Sequence, residues 1–252
     1  MVIAEPPART ATQSGLLRFI RYAFMPNRLG YCGPDENRLL FDHAVAGEAD
    51  RSLLPTLTQF LGPLPYLRAI ARGSGIRDPF DERVVEAYWV GNKLLELADG
   101  GDLYRSLNDR FRRQLPAELM ATIAGKVPWG ARAHHSFHVL DVWRQVARLD
   151  GDVLAQIDGC RVSWGRVAAV NGASLTVERA GLEIRDGKLA LGPATAVFAT
   201  REIDGRGFVT DVGPGDTVSM HWGWVCERLT DGQTRDLERY TRHNLRVANR
   251  TI

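Results

Sequence analysis

Apolar positions recur every three or four residues along the first part of the chain, then give way to short alternating runs in the last part. Gly15 to Met25 is apolar and basic at helical spacing. Asp35 to Ala46, Leu53 to Leu61, Leu64 to Arg72, Asp81 to Leu97 and Leu103 to Phe111 repeat the period, and Leu115 to Ile123 and Ser136 to Leu149 continue it. Asp35 has a side chain able to cap, ahead of Leu39, Leu40 and His43 on one face. Pro55, Pro63, Pro65, Pro79 and Gly100-Gly101 fall between these segments or near their starts. The opening residues, with Pro6, Pro7, Thr10, Thr12 and Ser14, are turn-rich. The pattern predicts a flexible N-terminus over residues 1–14 and an all-helical domain over 15–150.

The texture changes at Asp150-Gly151-Asp152. Cys160 to Val170, Ser174 to Glu178, Ala196 to Thr200 and Thr217 to Trp222 are β-rich, and Asn171-Gly172, Asp186-Gly187, Asp204-Gly205 and Pro214-Gly215 separate them as hairpin turns. Thr230 and Gln233 have capping-box spacing at the head of a last helix to about Val247, with Leu237, Tyr240, Thr241 and Leu245 as its inward stripe. The expected fold is α+β: an N-terminal helical domain, a boundary between Leu149 and Gly159, then a small OB-like antiparallel β-barrel over 155–252 with a C-terminal helix.

Composition narrows the partners. The chain has 252 residues, 44% hydrophobic and 25% charged, which suits a packed globular protein rather than a disordered one. A net charge of +2, from 32 basic and 30 acidic residues, supplies no field that selects nucleic acid or a membrane surface. Neither a run of about 18 apolar residues nor a basic-then-apolar leader is present, so a cytoplasmic protein is expected. Three cysteines, Cys32, Cys160 and Cys226, are too few and too widely spaced for a disulfide framework, and reduced thiols are available as metal ligands.

Two segments carry a resemblance. Cys160-Arg161-Val162-Ser163-Trp164-Gly165-Arg166-Val167 matches C-x-x-x-x-G-R-V, and Gly215-Asp216-Thr217-Val218-Ser219-Met220-His221-Trp222-Gly223 matches G-D-x-V-x-x-H-x-G. In this order, with a terminal helix after them, they resemble the HypC/HupF family of nickel–iron hydrogenase maturation chaperones, over residues 160–252. The resemblance implies that Cys160, opening the first strand, binds an iron fragment bearing cyanide and carbon monoxide, with His221 facing it. It implies transfer from an iron-scaffold maturation protein to the hydrogenase large-subunit precursor, with Gly165, Arg166, Gly215 and Asp216 as structural motif residues. Gly165 would permit a strand kink and Gly215 a tight turn. Two positions depart from the family: Cys160 is internal and has no α-amine, and Trp164 stands where Pro is usual.

A second constellation is His134-His135-Ser136-Phe137-His138. On a helix His134 and His138 share one face, His135 and His138 another, a metal-binding spacing that suits zinc if Cys32, His43 or Asp141 completes the set. Capping and packing is the competing account of these histidines. Cys32 lies in a Pro- and Gly-rich loop ahead of a helix whose dipole would lower its pKa. Trp89, Trp143, Trp222 and Trp224 sit in apolar patterns that suit packing. The rival functions are a metal-dependent enzyme with its site in the helical half and a small-barrel binding module, the latter without interleaved basic and aromatic residues.

Overall fold

The computed structural model describes residues 9–113, 116–143 and 152–252, without the side chains of Phe111 and Trp143. Residues 1–8, the end of the helix expected over Ser136–Leu149, and Asp150-Gly151 at the expected boundary lie outside the described residues.

Helix α1 (Ala11–Arg28) starts at a capping box in which Thr10 Oγ1 accepts from the Gln13 amide and the Thr10 amide donates to Gln13 Oε1. It begins before Gly15, so Ala11–Ser14 are helical rather than flexible. Helix α2 (Asn37–Ala46) has Glu36 at its N-cap position with no side-chain bond, so Asp35 does not cap it. A 3-10 turn (Arg51–Leu53) leads into α3 (Leu54–Leu57), and α4 (Leu64–Gly73) follows. The helix expected over 81–97 is broken in two: α5 (Glu82–Trp89), capped by Asp81, and α6 (Leu94–Leu97). Gly91 between them has φ 101°, and a Cβ there would strike the Tyr240 ring of the C-terminal helix. Helices α7 (Gly100–Phe111) and α8 (Ala117–Gly125) precede α9 (His135–Phe137), which runs straight into a π-helical turn, His138–Trp143.

Helix α10 (Val153–Cys160) was absent from the sequence expectation, although Asp152 caps it by accepting from the Ala155 amide at 3.1 Å. Seven strands follow: β1 (Ser163–Asn171), β2 (Ser174–Arg185), β3 (Lys188–Thr200), β4 (Glu202–Ile203), β5 (Arg206–Gly207), β6 (Thr217–His221) and β7 (Trp224–Leu229). The main sheet has five of them in the order β1-β2-β3-β7-β6, with β1 paired back to β6. The closure at β3–β7 is a parallel pairing of Thr200 with Trp224 alone, against the long antiparallel β2–β3 ladder. The chain ends in α11 (Asp231–Ala248), whose Thr230–Gln233 capping box and buried Leu237, Tyr240, Thr241 and Leu245 match expectation. The architecture is mixed α+β, helices first, then a five-stranded sheet and a terminal helix. Among the described residues no helix is long and apolar enough to cross a membrane.

The two sequence motifs lie side by side. Ser163 pairs with Met220, Trp164 with Ser219, Gly165 with Val218 and Arg166 with Thr217, while Val167 N donates to Asp216 O at 2.8 Å. A Cβ at Gly165 would come within 2.5 Å of Glu178 O and 2.6 Å of Val177 Cγ1, so close approach of β2 requires glycine there. The β1–β2 irregularity is at Val167/Ala169 instead of at Gly165. Gly215 turns with φ 97°, as expected.

The largest apolar cluster joins Leu16, Phe19 and Tyr22 of α1 to Trp224 and Cys226 of β7 and Leu237 of α11. A smaller one, including Val167, Val177, Val218 and Val225, fills the sheet interior. The change in secondary structure near residue 150 is thus not a break in the core. Lys126 strengthens the join: its Nζ is 3.0 Å from Asp141 with both side chains fully buried, and it donates to Val247 O at 3.2 Å and Thr251 Oγ1 at 2.7 Å. Lys126→Met would remove the buried ammonium 3.0 Å from the Asp141 carboxylate and is expected to cost about 3–5 kcal/mol, whereas Lys126→Met with Asp141→Leu recovers part of that loss. Urea unfolding of the two variants checks this, and equal destabilisation by both would refute it.

Candidate metal centre

Among the described residues, one group of three or more potential metal ligands converges: His135, Cys160 and His221, whose ligand atoms all lie within 4.8 Å of one another. Each comes from a different element end. Cys160 is the last residue of α10, not the first of a strand; His221 ends β6; His135 opens α9. The turn after β6 holds two of them in place, because Trp222 N donates to Gly159 O at 2.8 Å. Trp222 has φ 52° and Gly223 φ 70°, a left-handed pair that reverses the chain tightly between β6 and β7.

The hydrogen bonds assign the tautomers. His221 Nδ1 is 2.7 Å from the Tyr22 carbonyl, which can only accept, so Nδ1 carries the proton and Nε2 the lone pair. That Nε2 is buried and makes no hydrogen bond of ordinary geometry, although the nearby Cys160 backbone pulls its pKa upward. A histidine anchored through one nitrogen on a backbone carbonyl, with the other free, is the arrangement metal-ligating imidazoles adopt. His135 Nε2 is 2.9 Å from the Cys160 carbonyl and therefore donates, leaving Nδ1 to accept from Tyr88 Oη at 3.0 Å. Trp89 packs beside both imidazoles, its ring 4.6 Å from His135 and 5.6 Å from His221 between centroids.

Burial governs the electrostatics. It lowers His221 to about 4 and His134 to about 3, and drives His135 well below the usual range with help from His221 and His138. Burial pushes the Cys160 thiol up and Cys32 adds to this, while the Trp222 indole, beside the sulphur, favours the thiolate. That indole N–H has no hydrogen bond of ordinary geometry. A cavity of about 80 Å³ lies at the Trp222-Gly223 turn, lined by Gly159, Ser163, Phe198, Met220 and Trp222 among others and by none of the three grouped residues.

The other candidates are engaged elsewhere. His134 is the N-cap of α9, accepting from the Ser136 amide at 3.1 Å, so it does not share a helix face with His138. His138 Nδ1 is 3.2 Å from Tyr66 Oη, and His43 Nδ1 is 3.0 Å from Glu48 O. Asp141 pairs with Lys126. Cys32 lies near enough to push the Cys160 thiol further up but outside the 4.8 Å group. It is an exposed residue, yet burial of its thiol pushes the pKa up to about 12, opposite to the lowering expected from a helix dipole; it precedes α2 by a stretch of loop. Among the motif residues, Asp216 Oδ2 accepts from Gly213 N at 2.9 Å and Arg166 is exposed on β1. Spacing pairs His135 with His138 rather than with Cys160 and His221, since those partners are distant in sequence.

The buried imidazoles make stability depend on pH. His134 and His221, 0% and 2% exposed, have folded pKa values of about 3 and about 4, below the value of about 6.5 in an unfolded chain. The unfolded state therefore takes up protons that the native state refuses. Their contribution is complete above about pH 6.5 and is lost as pH falls toward the folded values. At pH 5 each withdraws about 2 kcal/mol, from about 1.4 kcal/mol per unit of pH. Urea midpoints at pH 7 and pH 5 are expected to show the drop, and His134→Asn, which keeps an N-cap acceptor, to remove part of it.

No curated protein matches the chain, and no solved structure does. A family model does match, and it spans the helices and the sheet together: over residues 11–252 the chain belongs to a family of unknown function, DUF6390.

Proposed function

We propose that this protein is an accessory chaperone of nickel–iron hydrogenase maturation, which holds an iron fragment on Cys160 and His221 and presents it to the large-subunit precursor. The observation that carries the reading is the buried, lone-pair-bearing Nε2 of His221, oriented through Tyr22 and gathered with the Cys160 sulphur. The pairing of the two motif strands supports it, because it is what brings C-x-x-x-x-G-R-V and G-D-x-V-x-x-H-x-G to one place. In this reading the sheet is an OB-like barrel, the helices before residue 150 form a domain that covers it, the protein works in the cytoplasm, and an iron-scaffold maturation protein delivers the cargo.

The donor set suits such a cargo. A thiolate and imidazoles favour a soft or borderline transition metal over magnesium or calcium. The group contains no carboxylate, so the thiolate is the one negative charge it offers. A bare divalent ion would leave positive charge among largely buried side chains, a costly state, whereas each bound cyanide removes one unit of it. The thiol must give up its proton on loading, which its raised pKa opposes and the metal's charge drives. Cys160 has no α-amine to offer, and His135 supplies a third donor from the helical half.

Cys160→Ala is expected to abolish hydrogenase activity in cells carrying it as their only copy, with soluble level and thermal midpoint close to wild type; His221→Ala is expected to abolish it too, with a lower midpoint because it empties a buried site and leaves the Tyr22 carbonyl without its donor. A cysteine that only packs loses little as alanine, while an iron ligand has no substitute in a methyl group. Cys32→Ser and Cys226→Ala serve as thiol controls and are expected to keep most activity. Folded, abundant Cys160→Ala protein that still supports maturation would overturn the proposal.

A further inference from the structure

Resting on that carrier reading, we infer that His135 is an exchangeable third ligand: in the empty protein its Nε2–H is held by the Cys160 carbonyl, and on loading Nε2 turns to the metal while Tyr88 changes from donor to acceptor. The two histidines of the group are not equivalent. His221 is preset, with Nδ1 donating to Tyr22 O and Nε2 unpartnered. His135 has both nitrogens engaged, Nε2 at 2.9 Å from Cys160 O and Nδ1 at 3.0 Å from Tyr88 Oη. A nitrogen that donates has no lone pair to give, so His135 can ligate through Nε2 only as the other tautomer, with its proton on Nδ1.

Tyr88 makes that tautomer affordable in a buried place. A phenol can donate to a bare Nδ1 or accept from Nδ1–H, so Nδ1 keeps its partner, while the phenol O–H and the Cys160 carbonyl give up theirs, a cost the new coordination bond must offset. Tyr88 and His135 are 0% and 4% exposed, and an unsatisfied N–H there would cost about 1–3 kcal/mol. The protons balance: the imidazole and the phenol are neutral before and after, and the proton released is that of the Cys160 thiol. Tyr88 is thus a positioning residue that touches no cargo.

The arrangement has a use for a carrier. His135 can leave the cargo by exchanging a coordination bond for its hydrogen bond to the Cys160 carbonyl, so release through the remaining two ligands begins without exposing a buried donor. The segment that carries it continues as a π-helical turn, a local irregularity often found at functional sites.

Copper(I) is the probe that tests this, since it is soft, diamagnetic and neutralised by one thiolate. Full-length protein labelled with 15N-histidine is examined by NMR without oxygen, empty and with one equivalent of copper(I). Expected are an Nε2–H tautomer for His135 and an Nδ1–H tautomer for His221 when empty, and Nδ1–H for both when loaded. Tyr88→Phe is expected to weaken copper(I) binding about 10- to 100-fold, the usual effect of losing an outer hydrogen-bond partner. Wild-type protein that binds no copper(I) would sink the carrier reading itself. Binding with the His135 tautomer unchanged, or folded Tyr88→Phe binding as tightly as wild type, would overturn the exchange and leave the site standing. Should Tyr88→Phe fail to fold, the wild-type tautomers alone decide.

Discussion

The burial of one face of α1 against β6 and β7 is the constraint on which the molecule depends, and Tyr22 is its centre. The Tyr22 ring stacks on Trp89 at 5.3 Å, its hydroxyl donates to Glu227 Oε1 at 2.7 Å and lies 2.8 Å from Ser219 Oγ, and its carbonyl accepts from His221. One turn earlier Arg18 donates to Glu227 at 3.2 Å and stands 3.4 Å from Glu86 of α5. Glu227 is 7% exposed, so its carboxylate is tolerable only with such partners. Burial lowers the Arg18 pKa, but Glu227 and Glu86 more than reverse this and the guanidinium stays charged. Helix, sheet and α5 are therefore locked by one polar knot in an apolar interface. The same knot fixes the tautomer of His221, so the His135–Cys160–His221 group forms only when the helical and sheet portions are assembled.

Much of the fold is legible in the sequence where short-range chemistry decides it. Thr230–Gln233 caps the last helix, and Asp186-Gly187 and Asp204-Gly205 turn with positive φ at both residues. Helix 81–97 is misread because Gly91 answers to Tyr240, far along the chain, rather than to its neighbours. Helix α10 carries a readable signal, Asp152 at its N-cap before Val153, Leu154 and Ile157, which the adjacent Gly151 and Gly159 obscure. For the site, Cys160 and His221 can be picked out because they stand in motifs that share a strand pair. His135 cannot: its contacts to Tyr88 and Cys160 span 47 and 25 residues and arise from packing alone.

The Trp222-Gly223 turn shows how the fold holds the site rigid at its outer edge. A bulky residue at φ 52° carries strain of about 1–3 kcal/mol, which persists only where surroundings enforce it. Here the indole stacks on Tyr31 at 4.1 Å and 12°, lies 3.0 Å from the point where a Cβ on Gly159 would stand, and borders the Cys160 sulphur, while its amide bonds Gly159. A glycine in its place would relax the backbone and keep the amide bond to Gly159 O, but would remove the indole that packs on Gly159, Tyr31 and the Cys160 sulphur. The spacing of His221 and Cys160 would then rest on that single hydrogen bond and the strands. Strain is thus stored where two side chains from different elements, His221 and Cys160, are kept in register, and the Tyr31 loop, reaching over from the end of α1, returns the dependence to the same helix that orients His221 from beneath.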